Sequence, residues 1–128
     1  MVDFVIPKNE DFSFKLKILK KDSTDIQELT YLSSFELKIY DAATNVTAIT
    51  VTKSNADIPV SDRLEGIVEV NLTALQTNTL TVKKGDPADG HYLIAGYQGS
   101  IKLEFVAGSN ILPIYTNIEK IYVSQTGN

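Results

Sequence analysis

At 128 residues the chain has the length of one domain, and its 16 acidic against 12 basic side chains, a net charge of -4, argue against a protein whose main work is phosphate neutralisation. With 43% hydrophobic and 22% charged residues it falls among ordinary globular proteins rather than disordered ones. It has no cysteine and no apolar run long enough to cross a bilayer as a helix, which removes disulfides, thiolate chemistry, Cys-type zinc sites and transmembrane helices.

Residues 2–6 form a short apolar strand ended by Pro7, and a polar turn follows at 8–11. The segment before Pro7 has no basic n-region, so no signal peptide is expected. Phe12, Phe14, Leu16 and Ile18 alternate with Ser13, Lys15, Lys17 and Leu19, the period-2 pattern of a strand with one face in a core. Residues 20–25 read as a wide polar connection and 26–30 have no clear period. A second strand covers 34–40 with Phe35, Leu37 and Ile39 inward, and a third, rich in threonine and valine, covers 46–52. Residues 53–65 read as a loop with a short extended piece at 58–60.

Two periods meet in the next stretch. Residues 67–72 alternate as a strand, with Val68, Val70 and Leu72 on one face, and then Thr73-Ala74-Leu75-Gln76 takes the S/T-x-x-E/Q form of a capping box. A short helix should follow, capped by Thr73, with Leu75 and Leu80 as apolar plugs for one end of the core. Residues 83–90 carry a strong turn signal. Residues 91–97 read as a strand apolar on both faces, and Ile101, Leu103 and Phe105 mark another, entered through Gly96 and Gly99. Residues 112–115 and 118–123 close the chain, and a one-residue slip in apolar phase between Ile118 and Ile121 points to a bulge near Glu119 and Lys120. The expected core is Phe12, Phe14, Leu16, Phe35, Leu37, Ile39, Val68, Val70, Leu103 and Phe105. With about eight strands at sandwich-like spacing, the whole of 1–128 is a single all-β domain with one short helix.

Few residues point to chemistry. His91 is the sole histidine and no serine lies in a G-x-S-x-G context, so it reads as a surface turn residue rather than a catalytic base. Asp86 and Asp89 have the hard oxygens a calcium ion takes, but Asp-Pro-x-Asp-Gly is also ordinary turn chemistry. Asp57, Asp62 and Glu65 form a second acidic stretch, read as solvated. Lys15, Lys17, Lys20 and Lys21 make a basic stripe that either guards an edge strand or faces an acidic partner. Asn45-Val46-Thr47 and Asn71-Leu72-Thr73 match the glycosylation sequon, which has no force without a secretory route. Tyr92, Tyr97, Tyr115 and Tyr122 cluster late in the chain and suit a contact surface.

A strand of the form F-x-F-x-L at Phe12-Ser13-Phe14-Lys15-Leu16 follows an apolar N-terminal strand and polar turn. A Leu-Thr-x-x-x-Thr-x-x-Leu turn then runs from Leu72-Thr73 through Thr77 to Leu80, before Gly90-His91-Tyr92. This order resembles a class of tailed-bacteriophage structural modules known from the N-terminal domain of baseplate upper proteins and from neck, fibre and decoration proteins. The chain differs in its long 53–65 loop and in carrying no receptor-binding domain within these residues. The resemblance implies an Ig-like antiparallel β-sandwich that works without enzymatic activity or cofactor as a virion subunit. Its partners would be other virion proteins and copies of itself in a symmetric assembly, with no direct contact to nucleic acid or membrane. The expected contact residues are Val2, Phe4, Ile6, Tyr92, Tyr97, Tyr115 and Tyr122. A carbohydrate-binding or adhesive module is the alternative, and a small hydrolase built around His91 is a third class.

Overall fold

The computed structural model describes residues 4–83 and 94–124. Seven strands are present among them: β1 (Phe4–Pro7), β2 (Phe12–Lys17), β3 (Leu32–Asp41), β4 (Thr47–Ser54), β5 (Ile67–Leu72), β6 (Tyr97–Phe105) and β7 (Ile114–Ser124). They form a five-stranded sheet in the order β1-β7-β6-β3-β4 and a two-stranded ribbon of β2 and β5. The inward faces of both close on one apolar core, giving the expected all-β sandwich. Phe35, Leu37, Ile39, Val68, Val70 and Leu103 are buried as their alternation requires, whereas Phe12, Phe14, Leu16 and Phe105 are only half-buried and pack against the core. The core also takes in Ile6, Ile18, Leu29, Leu32, Ile49, Ile58, Leu72, Leu80, Tyr97, Ile101, Ile118, Ile121 and Val123.

Among the described strands the pairing is antiparallel except at one place. β1 runs parallel to β7, with Phe4 opposite Ile121 and Ile6 opposite Val123. The two strands lie far apart in sequence, so no hairpin geometry forces the antiparallel sense on them. Ile6 is buried and the Phe4 ring meets that of Phe14 at 4.6 Å, so this N-terminal strand is part of the chain's own core.

Several segments depart from their expected form. Residues 53–65 are ordered: β4 runs on to Ser54, a 3-10 turn covers Asn55–Asp57, and α1 covers Val60–Glu65. Arg63 holds this region together by donating to the Ile58 carbonyl (2.9 Å) and the Asn55 side-chain oxygen (2.8 Å), while Asn55 donates to the Leu29 and Thr30 carbonyls. Gly66 ends α1 in the left-handed region at φ 69°, and a Cβ there would fall 2.5 Å from the Ile26 side chain. Residues 20–25 make a narrow turn, with Leu19 bridged to Ile26, in place of a wide connection. No strand covers residues 94–96; β6 starts at Tyr97 and contains Gly99, which marks no entry turn because Ile118 and Leu37 pack over it within the sheet. β7 is one strand rather than two, starting at Ile114. Between the pairs Tyr97–Ile121 and Gly99–Ile118 it carries one more residue than β6, which is the bulge anticipated near Glu119 and Lys120. The extra residue is what lets Ile118 and Ile121, three apart, both face inward.

Candidate functional site

The β2–β5 ribbon has two ends, and they are built differently. At the Phe12/Leu72 end lies α2 (Ala74–Thr77), the short helix expected after β5. Thr73 caps it as a capping box: its Oγ1 accepts from the Gln76 N–H at 3.1 Å, and its own N–H donates to Gln76 Oε1 at 2.9 Å. The β1–β2 turn lies along the helix and meets its remaining polar groups. Asp11 Oδ1 accepts from the Ala74 N–H at 2.7 Å, and the Lys8 ammonium donates to the Asn78 carbonyl (2.7 Å) and to that of Leu80. Thr77, wholly buried, accepts from the Glu10 N–H at 3.1 Å and donates to the Glu10 carbonyl at 2.8 Å. Leu80 is buried as expected, but Leu75 is 80% exposed, because the single turn of helix aims it away from the core.

Beyond α2 the chain reaches Tyr97, whose hydroxyl accepts from the Thr81 N–H at 2.9 Å. Lys83 lies 5.1 Å from the centre of the Tyr97 ring and pairs with Asp41. This hydrogen bond from Lys83, helped by the Ala43 N–H, holds the Asp41 carboxyl below its ordinary value of 3.8.

The other end of the ribbon, where β2 finishes at Lys17, is open. A groove of about 860 Å3 separates the 17–22 segment from residues 110–116. Leu19 and Ile18 on one wall face Leu112, Ile114 and Tyr115 on the other. Leu112 is 79% and Tyr115 69% exposed, an unusual concentration of apolar surface beside a concavity. Three members of the basic stripe, Lys17, Lys20 and Lys21, line the rim, against the single carboxylate of Asp22. Among the described residues their ammonium groups make no ion pair or hydrogen bond. The outer face of the five-stranded sheet is different: Glu36, opposite Lys102 across β3 and β6, pairs with Lys38, and Lys102 pairs with Glu104 at 2.7 Å. The Glu104 contact raises the Lys102 pKa, and such a charged ladder suits solvent.

Of the expected contact residues that are described, only Tyr115 lines the groove. Tyr97 is 4% exposed and Ile6 is buried, so both are part of the interior and are withdrawn as contact residues; Phe4 and Tyr122 are half-buried. Val2, Tyr92, His91, Asp86 and Asp89 lie outside the described residues. Asp57 is occupied locally, its carboxylate accepting from the Ser54 N–H (2.8 Å) and hydroxyl (3.1 Å), which lowers its pKa. Among the described residues no three acidic or histidine side chains are grouped to hold a metal ion. No helix among them is long and apolar enough to cross a membrane. Leu19, placed on the outward face of its strand, and Leu112, placed in the 112–115 segment, were not among the expected contact residues, since no local pattern shows that the fold brings them to one concavity.

In comparisons with protein-family models, curated proteins and solved structures, nothing matches this chain.

Proposed function

We propose that the chain is a non-enzymatic structural subunit of a tailed-phage virion, in the tail, baseplate, neck, fibre or capsid decoration, and that it acts by protein–protein assembly. The open end of the sandwich is the observation that carries this reading. Leu19, Leu112 and Tyr115 expose apolar surface around a groove, and desolvating such surface is what drives stable association between proteins. The motif resemblance from Phe12 to Leu80 supplies the virion context. Tyr115 and Asn110, which both line the groove, are residue types that sugar sites use, which keeps the carbohydrate-binding module as the second reading. It is less favoured because Tyr115 is the one aromatic ring among the lining residues, most of which are aliphatic or cationic.

The test is the composition of purified particles. Tailed particles banded from a lysate that expresses the chain should contain it in fixed ratio to the other virion proteins, by quantitative mass spectrometry. Its absence from intact particles would overturn the assignment, and selective retention on a glycan array would favour the sugar-binding alternative.

A further inference from the structure

The groove has a backbone wall as well as side chains. β1 covers β7 only over residues 121–124, so the edge of β7 at 114–117 that faces away from β6 has no strand partner among the described residues. Natural sheets blunt such an edge with lysine, proline or a charge pointing inward. β2 does so, placing Lys15 and Lys17 on its exposed face. The β7 edge instead presents Ile114, Tyr115, Thr116 and Asn117, uncharged and mostly of high strand propensity, with Pro113 just outside the strand. An unguarded edge of this kind, lying in a groove with apolar walls, is shaped to receive another strand.

The charge around it selects the strand. Lys17, Lys20 and Lys21 form a local positive rim on a chain whose net charge is -4. A second copy docking through the same face would bring its own lysine rim against this one, so the rim suits a foreign acidic segment better than self-association. We infer that this groove binds an extended acidic segment of a partner protein, added as a strand to the 114–117 edge of β7. Four residues of added strand span about 13 Å. Its backbone pairs with β7, its inward side chains cover Leu19 and Ile114, and its carboxylates meet the three ammonium groups at the rim. This names the partner chemistry for the assembly reading above and rests on it.

The test uses the full chain and a synthetic peptide of alternating valine and glutamate, followed by fluorescence anisotropy at low salt. Three controls accompany it: the same peptide with lysine for glutamate, the glutamate peptide N-methylated at alternate residues, and a single-stranded oligonucleotide of equal charge. The glutamate peptide should bind and shift the backbone amide resonances of residues 114–117. The lysine and N-methylated peptides should bind at least about tenfold more weakly, the first because its charge has the same sign as the rim and the second because it cannot pair as a strand. The double variant Lys20→Glu/Lys21→Glu, confirmed as folded by circular dichroism, should weaken the glutamate peptide by about tenfold or more. Equal binding of the N-methylated peptide would remove the strand-addition claim. Equal binding of the oligonucleotide would reduce the groove to a general polyanion site, and dimerisation of the chain with the same amide shifts would replace the foreign partner by a second copy. Failure of the glutamate peptide to bind overturns the inference but leaves the particle-composition result, on which the assembly reading stands, unaffected.

Discussion

The two ends of the β2–β5 ribbon differ in how far the chain satisfies its own polar and apolar groups. At the Phe12/Leu72 end polar groups are matched within the chain: Thr73 and Gln76 cap α2 reciprocally, the Ala74 N–H and the Thr77 hydroxyl find partners at Asp11 and Glu10 in the turn between β1 and β2, and the Lys8 ammonium of that turn donates to the Asn78 and Leu80 carbonyls. At the Lys17 end the rim ammonium groups and part of the β7 edge have none among the described residues, and leucines lie open to solvent. Closing an end is favourable because unpaired buried groups cost more than paired ones return. Leaving one open is tolerable because its groups stay hydrated, and under the proposal above it is the end that a partner strand covers.

The largest expected contrast comes from deleting a leucine side chain at each end. Leu80→Ala should lower unfolding free energy by about 2–5 kcal/mol, since Leu80 is fully buried and its loss leaves a cavity. Leu112→Ala, 79% exposed, should stay within about 0.5 kcal/mol of the parent. Urea titrations with unchanged m-values would measure both. Equal losses would mean that the groove end is as much a part of the core as the α2 end.

Hydrogen bonding gives the next step down. Thr77→Val keeps the shape but removes the hydroxyl, which strands the Glu10 N–H and carbonyl that it serves, and should cost about 1–3 kcal/mol. A cost near zero would show that water satisfies the turn and that this end is less closed than its geometry suggests. Thr73→Ala should cost about 0.5–2 kcal/mol through loss of the cap to the Gln76 N–H. Thr73→Ser, which retains the hydroxyl, should restore most of it; failure of that rescue would point to lost methyl packing instead.

What the sequence disclosed divides along the same line. β5 and its capping box were readable because both are local: the alternation of Ile67 to Leu72 and the Thr73/Gln76 spacing need no distant partner. The β7 bulge was readable for the same reason, as a phase slip within one strand. α1 was missed because its two apolar residues, Val60 and Leu64, both face solvent and give no periodic signal; the available signs were Pro59 before it and Gly66 after it. Leu75 was misplaced because a helix of one turn has too few residues to reveal which side is buried. Tyr97 passed for a surface residue because a tyrosine can bury its ring once its hydroxyl has a partner, here the Thr81 N–H. As for the groove, the lysine stripe and Tyr115 were noticed separately, but they lie more than ninety residues apart in sequence, and only the fold brings them to one concavity.

The smallest effect concerns charge on the closed side, and its sign can be worked out. Asp41 accepts from Lys83 and from the Ala43 and Thr44 N–H groups, which hold its carboxyl below the ordinary value of 3.8 in the folded chain. A depressed folded pKa means that the unfolded chain binds the proton more readily, so the group favours folding above that ordinary value. The contribution fades as pH falls through 3.8 and is gone below the folded pKa. The pair is partly exposed, so the effect is small and screened by salt. Urea midpoints of the parent and of Asp41→Asn should therefore differ most at neutral pH and converge in acid, with a narrower gap at high salt. A gap that persists unchanged from neutral pH to below the ordinary carboxylate range would mean that shape and neutral hydrogen bonds, rather than the Lys83 charge, fix Asp41 in place.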